Sequence, residues 1–281
     1  MSHQLRSTGV IALLTLREAA RRKVVLALAA LTVLLLGLAG WGFWRLGAEL
    51  TSGEARVAAS QVLNLVLFGL SLIAALGTAF LTGPTVAGET ESGAALAVLA
   101  RPVRRSAYLL GKWLGLAVFG GVYVVVAAFA LCLVVLWAVG YWPPDPVAGL
   151  LLLAGQTVVL LTLALLLSTA VSPMASGVVA VGLFGATWIS GVVGGVGVAL
   201  GNEGVARVGE VSRVVLPTDG LWRGAMHAFQ DPSALTAMGA GAEAFPFLST
   251  SSPTPLYLLW SAVWVAMVLW VATTAFARKD L

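Results

Sequence analysis

Charge is scarce in this sequence. Asp, Glu, Lys and Arg together make up 10% of 281 residues, against about 25% in an average soluble chain. So little ionisable surface cannot cover a water-facing globule. Cysteine is nearly missing too. Cys132 stands alone, which excludes an intramolecular disulfide and leaves it as a small apolar packing residue. With His3 and His227 the only histidines, no metal site is visible. No stretch fits the phosphate-binding loop pattern of glycine, four residues, then Gly-Lys-Ser/Thr. Gly111-Lys112 runs into Trp113 and lacks the upstream glycine. The chain therefore binds no ATP through such a loop. Ser190 has no histidine beside it to act as a base, which argues against an intramembrane serine protease.

What is present is long apolar sequence. Six runs, Val24–Trp44, Ser60–Thr82, Trp113–Val139, Ala148–Val171, Gly177–Leu200 and Leu256–Ala277, contain no Asp, Glu, Lys, Arg or His. About 20 apolar residues cross the hydrocarbon core as a helix, and a backbone in lipid must satisfy its own hydrogen bonds. The chain is therefore expected to be an all-α integral membrane protein with six transmembrane helices in one domain, residues 1–281. The first run is too long for a cleaved signal segment and ends in Trp41, Phe43 and Trp44.

Lys and Arg set orientation. With the N-terminus inside, eleven of the sixteen basic residues fall on inner segments. Both termini are then expected in the cytoplasm. The net charge of +4 suits anionic lipid headgroups and does not call for nucleic acid. The absence of charge within the runs argues against an ion-coupled carrier. It leaves a conduit driven by another subunit, or a non-transporting assembly scaffold. Gln61, Asn64 and Gln156 are the amides of an otherwise apolar path, compatible with lipids, peptides or drugs.

Three segments lie outside the runs. Residues 4–23 read as an amphipathic interfacial helix, with Leu5, Gly9, Ala12, Leu13, Leu16 and Ala20 on one face. Residues 83–112 read as a cytoplasmic loop. In it, Pro84 and Gly88 end the preceding helix, and Ala94 to Ala100 form two turns before Pro102. Residues 201–255 read as an extracellular loop carrying two short helices that lie on, or dip into, the outer leaflet. Thr218 or Asp219 is placed to cap the second. In the fifth run, Gly191/Gly195 and Gly197/Gly201 have the spacing that lets helix backbones approach closely. That face could serve packing within one chain or against a second copy.

The loop resembles the inner loop of ABC-2 type permeases, the membrane subunits of many bacterial ABC exporters. The matching positions are Glu89, Glu91, Gly93, Leu96, Pro102, Arg105, Gly111 and Lys112. Leu16 to Lys23 resembles that family's start, while Thr90 and Ala94 depart from its frequent Arg and Thr. The segment 215–222 resembles the branch associated with maturation of copper enzymes. The resemblance implies a permease subunit in the bacterial cytoplasmic membrane, present as two copies and without enzymatic activity of its own. ATP and Mg would sit on a separate P-loop ATPase. The loop around Glu89, Glu91 and Gly93 would dock on that partner.

Overall fold

The computed structural model describes residues 2–89, 93, 104–238 and 245–278. Every regular element among them is a helix. Helix α1 is Ser2–Arg21, and α2 is Lys23–Glu49. Helix α3 is Ser52–Gly83, and α4 is Arg105–Val139. Helices α5, Pro146–Ala170, and α6, Pro173–Ala199, follow. Three short helices come next: α7 Glu203–Val215, α8 Thr218–Phe229 and α9 Pro232–Met238. Helix α10, Pro255–Ala277, closes the bundle.

Six of these helices are long and apolar enough to cross a membrane: α2, α3, α4, α5, α6 and α10. They coincide with the six runs and extend them by up to several residues. Proline starts three of them (Pro146, Pro173, Pro255), where its missing N–H costs nothing. Asp145 caps α5 through the Ala148 N–H, and Thr254 caps α10 through that of Tyr257.

Burial separates centre from rim. In their most apolar stretches, α3 is 56% buried and α5 50%, against 17% for α2 and 22% for α10. Helices α3 and α5 therefore form the axis, and α2 and α10 flank it. The largest core packs Phe43, Leu63, Leu67, Leu131, Trp222 and Phe229 around one end of that axis. Large apolar side chains such as Leu26, Val33, Val126 and Trp270 face outward. Small residues at the contacts with large ones outside is the packing expected in lipid, where Leu gains little by turning inward.

Three expectations need correction. Pro84 and Gly88 do not end the second span. The chain runs through Pro84–Gly88 as a π-helical turn, which accommodates the hydrogen bond that Pro84, lacking an N–H, cannot donate. At the other side of the loop α4 already begins at Arg105, so Gly111 and Lys112 are helical. The face of α1 is also rotated. Thr15 and Ala19 are its buried side, Ile11 packs inward, and Leu13 is exposed with Val10 and Leu14. The reason is the small-residue groove on which α1 lies.

Candidate functional site

Helix α1 lies against the first turns of α4. A methyl on Gly111 would meet Ile11 Cβ at 2.7 Å and the Thr8 carbonyl oxygen at 2.9 Å. One on Gly115 would meet the Ala12 carbonyl oxygen at 2.5 Å. The pair is a close-approach stripe four residues apart. It places Lys112, the residue between, in a buried position beside two carboxylates. Lys112 Nζ donates to Glu89 and lies 3.7 Å from Glu18 Oε2. The Tyr108 hydroxyl also donates to Glu89. Arg22 holds Glu18 at 2.6 Å. Three segments far apart in sequence, at 18, 89 and 112, are thus joined by charge at one end of the bundle. Burial raises the pKa of Glu18, but the bond from Arg22 and the positive charges of Lys112 and Arg22 outweigh it and leave the carboxyl below its usual range.

The other loop residues distribute unevenly. Arg105 donates to the Ala277 carbonyl at 3.0 Å, tying the start of α4 to the end of α10. Gly93 adopts φ 74°, the left-handed conformation that favours glycine, and no described residue lies near its Cβ position. Glu91 and Pro102, with Leu96 and the turns expected at 94–100, lie outside the described residues. The structure therefore brings Glu89 and Lys112 into contact. Gly111 sits beside them as a packing residue.

At the opposite end, α8 packs among the spanning helices rather than lying free on their surface. Trp222, Ala225, Met226 and Phe229 are buried, and α8 sits in the bundle against α5. Amides of two spans hold it. Asn64 Nδ2 donates to the carbonyls of Phe247 (3.1 Å) and Met226 (3.4 Å), and Gln156 Nε2 to that of Thr218 (3.4 Å). Ser71 Oγ donates in turn to Gln156 Oε1. Both amides bind this inserted helix, although in sequence they read as polar marks on an open path. Neither expected cap acts as one. Pro217 is the N-cap, and the Thr218 hydroxyl pairs with that of Thr187 at 2.9 Å. Asp219 Oδ2 accepts from Arg213 Nε at 3.2 Å and Arg223 Nε at 3.1 Å. Its Oδ1 has no partner among the described residues. Asp219 is 3% exposed, so the two arginines meet on a buried carboxylate, a cluster the sequence did not single out.

The glycines of α6 explain how α7 and α8 fit. A methyl on Gly191 would overlap the Asp219 carboxylate. On Gly194 it would lie 2.7 Å from Gly209 Cα, and on Gly197 2.5 Å from Ala206 N. The face is therefore used within the chain, at 191, 194 and 197. Gly195 is buried on the same helix. Gly201 does not belong to the face. It sits beyond the helix at φ 67° with no described residue near its Cβ position, and reverses the chain. The missed signals were Gly111/Gly115 and Gly194. Their spacing was present, but sequence alone could not say which stripe meets which helix.

Six crossing helices with a leading helix fastened by charge define a multi-pass helical membrane protein. The family described as ABC-2 family transporter protein matches residues 10–281, nearly the whole chain. The chain belongs to that family and is a membrane permease subunit of an ABC transporter. No curated protein matches it significantly.

Proposed function

We propose that this permease works as an exporter in two copies, driven by a separate ATPase that docks on the segment between α3 and α4. Both termini lie on the ATPase side, where the excess of Lys and Arg falls. The Glu89–Lys112–Glu18 joint carries this reading. A force on the docking segment reaches Glu89 first. Through Lys112 it passes to α4, and through Glu18 to α1, so a rigid tilt of these helices can follow ATPase closure. The buried Asp219 does not favour an ion-coupled carrier, because two arginines already compensate its charge.

The test is co-purification of the permease with its ATPase, followed by ATP-driven transport in vesicles. Intact Glu89 and Lys112 should be needed for transport per ATP hydrolysed. Cysteines at positions 2 and 252 should label from opposite sides of the membrane. Labelling from one side removes the topology, and normal transport by Glu89→Ala removes the joint.

A further inference from the structure

A cavity of about 980 Å³ opens between α5 and α10. That is at the upper end of the range of about 300–1,000 Å³ for small-molecule sites. Its walls are apolar: Leu151, Gly155, Val158, Leu258, Ala262 and Val265. Leu151 and Leu258 are exposed, as is Ala262, so the cavity is open sideways on a face of spanning helices. From Ala148 to Val159 it follows α5 for about 16 Å at 1.5 Å per residue. That is roughly half of a 30 Å hydrocarbon core, or one leaflet. Trp113 closes the deep end, its indole N–H held by the Thr162 hydroxyl at 2.9 Å. The mouth is polar, with Asp145, His227, Gln230 and Ser252.

A second cavity of about 370 Å³ lies beyond that mouth. Gly224, Ser252 and Pro253 belong to the walls of both. The second cavity is lined by Arg213 and Arg223 together with the strap at 249–254. Two guanidiniums face one carboxylate, Asp219, so the site carries a positive excess. Arg213 donates through Nε, and its terminal nitrogens make no hydrogen bond among the described residues. The strap is set in place from beneath. Ser249 exchanges two hydrogen bonds with Gln230, and its carbonyl also meets His227 Nδ1 at 3.1 Å. Asp145, the carboxylate at the groove mouth, sits at the start of α5 and caps that helix.

The geometry points to a lateral binding site for an anionic membrane lipid. Its acyl chain lies in the α5–α10 groove and its headgroup passes Ser252 to Arg213 and Arg223. The occupant is drawn from the leaflet on the side of α7 to α9. Charge selects the headgroup: the terminal nitrogens of Arg213, unbonded among the described residues, suit a phosphate, while Arg223, whose Nε donates to Asp219 and whose terminal nitrogen donates to the Gly191 carbonyl at 2.6 Å, adds positive charge beside them. Length selects the chain, because the groove is one leaflet deep. As the cargo of the transporter this lipid rests on the permease reading above; as a bound ligand it does not.

The test uses the full-length permease in phosphatidylcholine vesicles containing a trace of photoreactive lipid labelled in its acyl chain. A phosphatidylglycerol probe should crosslink to Leu151, Val158, Leu258 or Ala262 about tenfold more than a phosphatidylcholine probe, as one or two charge-assisted hydrogen bonds would give. Arg213→Gln should erase that preference while phosphatidylcholine labelling persists, since Arg223 still holds Asp219. Ala262→Trp, on an exposed face, should block both probes. Equal labelling by the two lipids in the unaltered protein overturns headgroup recognition and needs no variant. Labelling that misses the groove overturns the site. With the ATPase present, ATP should move the phosphatidylglycerol probe between leaflets, and Ala262→Trp should stop it. Unchanged movement in that variant overturns the cargo role. The binding arm uses no ATPase, so its failure leaves the permease reading untouched, and lost ATPase association leaves the lipid site standing.

Discussion

The two ends of the bundle each bury an ion network, and the two are built oppositely. At one end a single lysine, Lys112, stands between two carboxylates drawn from α1 and from the residue that follows the π-helical turn after α3. At the other a single carboxylate, Asp219, stands between two arginines only a few residues away in sequence. The first network joins segments that are remote in the chain and partly open to water, with Glu18 47% exposed. The second is local, closes around a carboxylate only 1% exposed, and is pressed against Gly191. A remote, half-wet joint can transmit motion. A local one closed around a buried carboxylate fixes an inserted helix in place. On the proposed function, the end with Lys112 is the one expected to move and the end with Asp219 the one expected to stay rigid.

The largest effect should come from breaking the rigid end. Asp219→Ala leaves Arg223, only 12% exposed, beside an empty position. Removing one partner of a buried pair costs about 3–5 kcal/mol. The purified variant should unfold at clearly lower temperature and yield less folded protein. Gly191→Leu should fail similarly, because its side chain would occupy the carboxylate's place. A normal unfolding midpoint for Asp219→Ala would sink the claim that this end is the rigid one.

Breaking the other end should cost less stability and more function. Glu89→Ala leaves Lys112 with Glu18 at 3.7 Å and the Tyr108 hydroxyl without its acceptor. Because water reaches this network, about 2 kcal/mol is expected, at the low end for a truncated charge pair. Inserted protein should form normally, and transport per ATP should fall. Stability loss equal to that of Asp219→Ala, with transport per ATP unchanged, would erase the contrast between the two ends.

A smaller effect is expected where the lysine's helix meets α1. Gly115→Ala places a methyl against the Ala12 carbonyl oxygen at 2.5 Å. Overpacking of this kind costs about 1–3 kcal/mol, and the low end applies because α1 can shift outward. Limited proteolysis at Arg17 and Arg21 should speed up in the variant. Unchanged cleavage would mean that α1 does not rest on this glycine.

The spans were legible because each is a continuous apolar run bounded by proline, charge or turn residues. Their rotation was not legible. In lipid the periodic hydrophobic face points outward, so Leu13 and Val10 mark the exposed side of α1, and small residues mark the contact. Glu89 and Lys112 could be picked out by resemblance, but 23 positions separate them and only the π-helical turn and the early start of α4 bring them together. The insertion of α8 had no local signal. Its Leu221, Trp222, Ala225, Phe229 face fits a surface helix equally well. What buries it is the pairing of Asn64 and Gln156 with its backbone, a long-range fact that no window of sequence contains.

The smallest effect sharpens the comparison through pH. Burial pushes the Glu18 carboxyl up, while Arg22 and Lys112 pull it down further, so its folded pKa lies below the ordinary carboxylate value. A depressed carboxylate contributes stability above its unfolded pKa and loses it as pH falls through the folded one. The attachment of α1 should therefore be constant between about pH 8 and 6, where carboxylates stay ionised. It should loosen only in acid below the ordinary range. Because Glu18 is nearly half exposed, the contribution is screened and should shrink further in high salt. Proteolysis at Arg17 and Arg21 by an acid-tolerant protease, followed across pH, reads this directly. Glu18→Gln should flatten the acid limb and leave the neutral rate slightly higher. Loosening already between about pH 8 and 6 would point to a group other than a paired carboxylate, and would take Glu18 out of the joint.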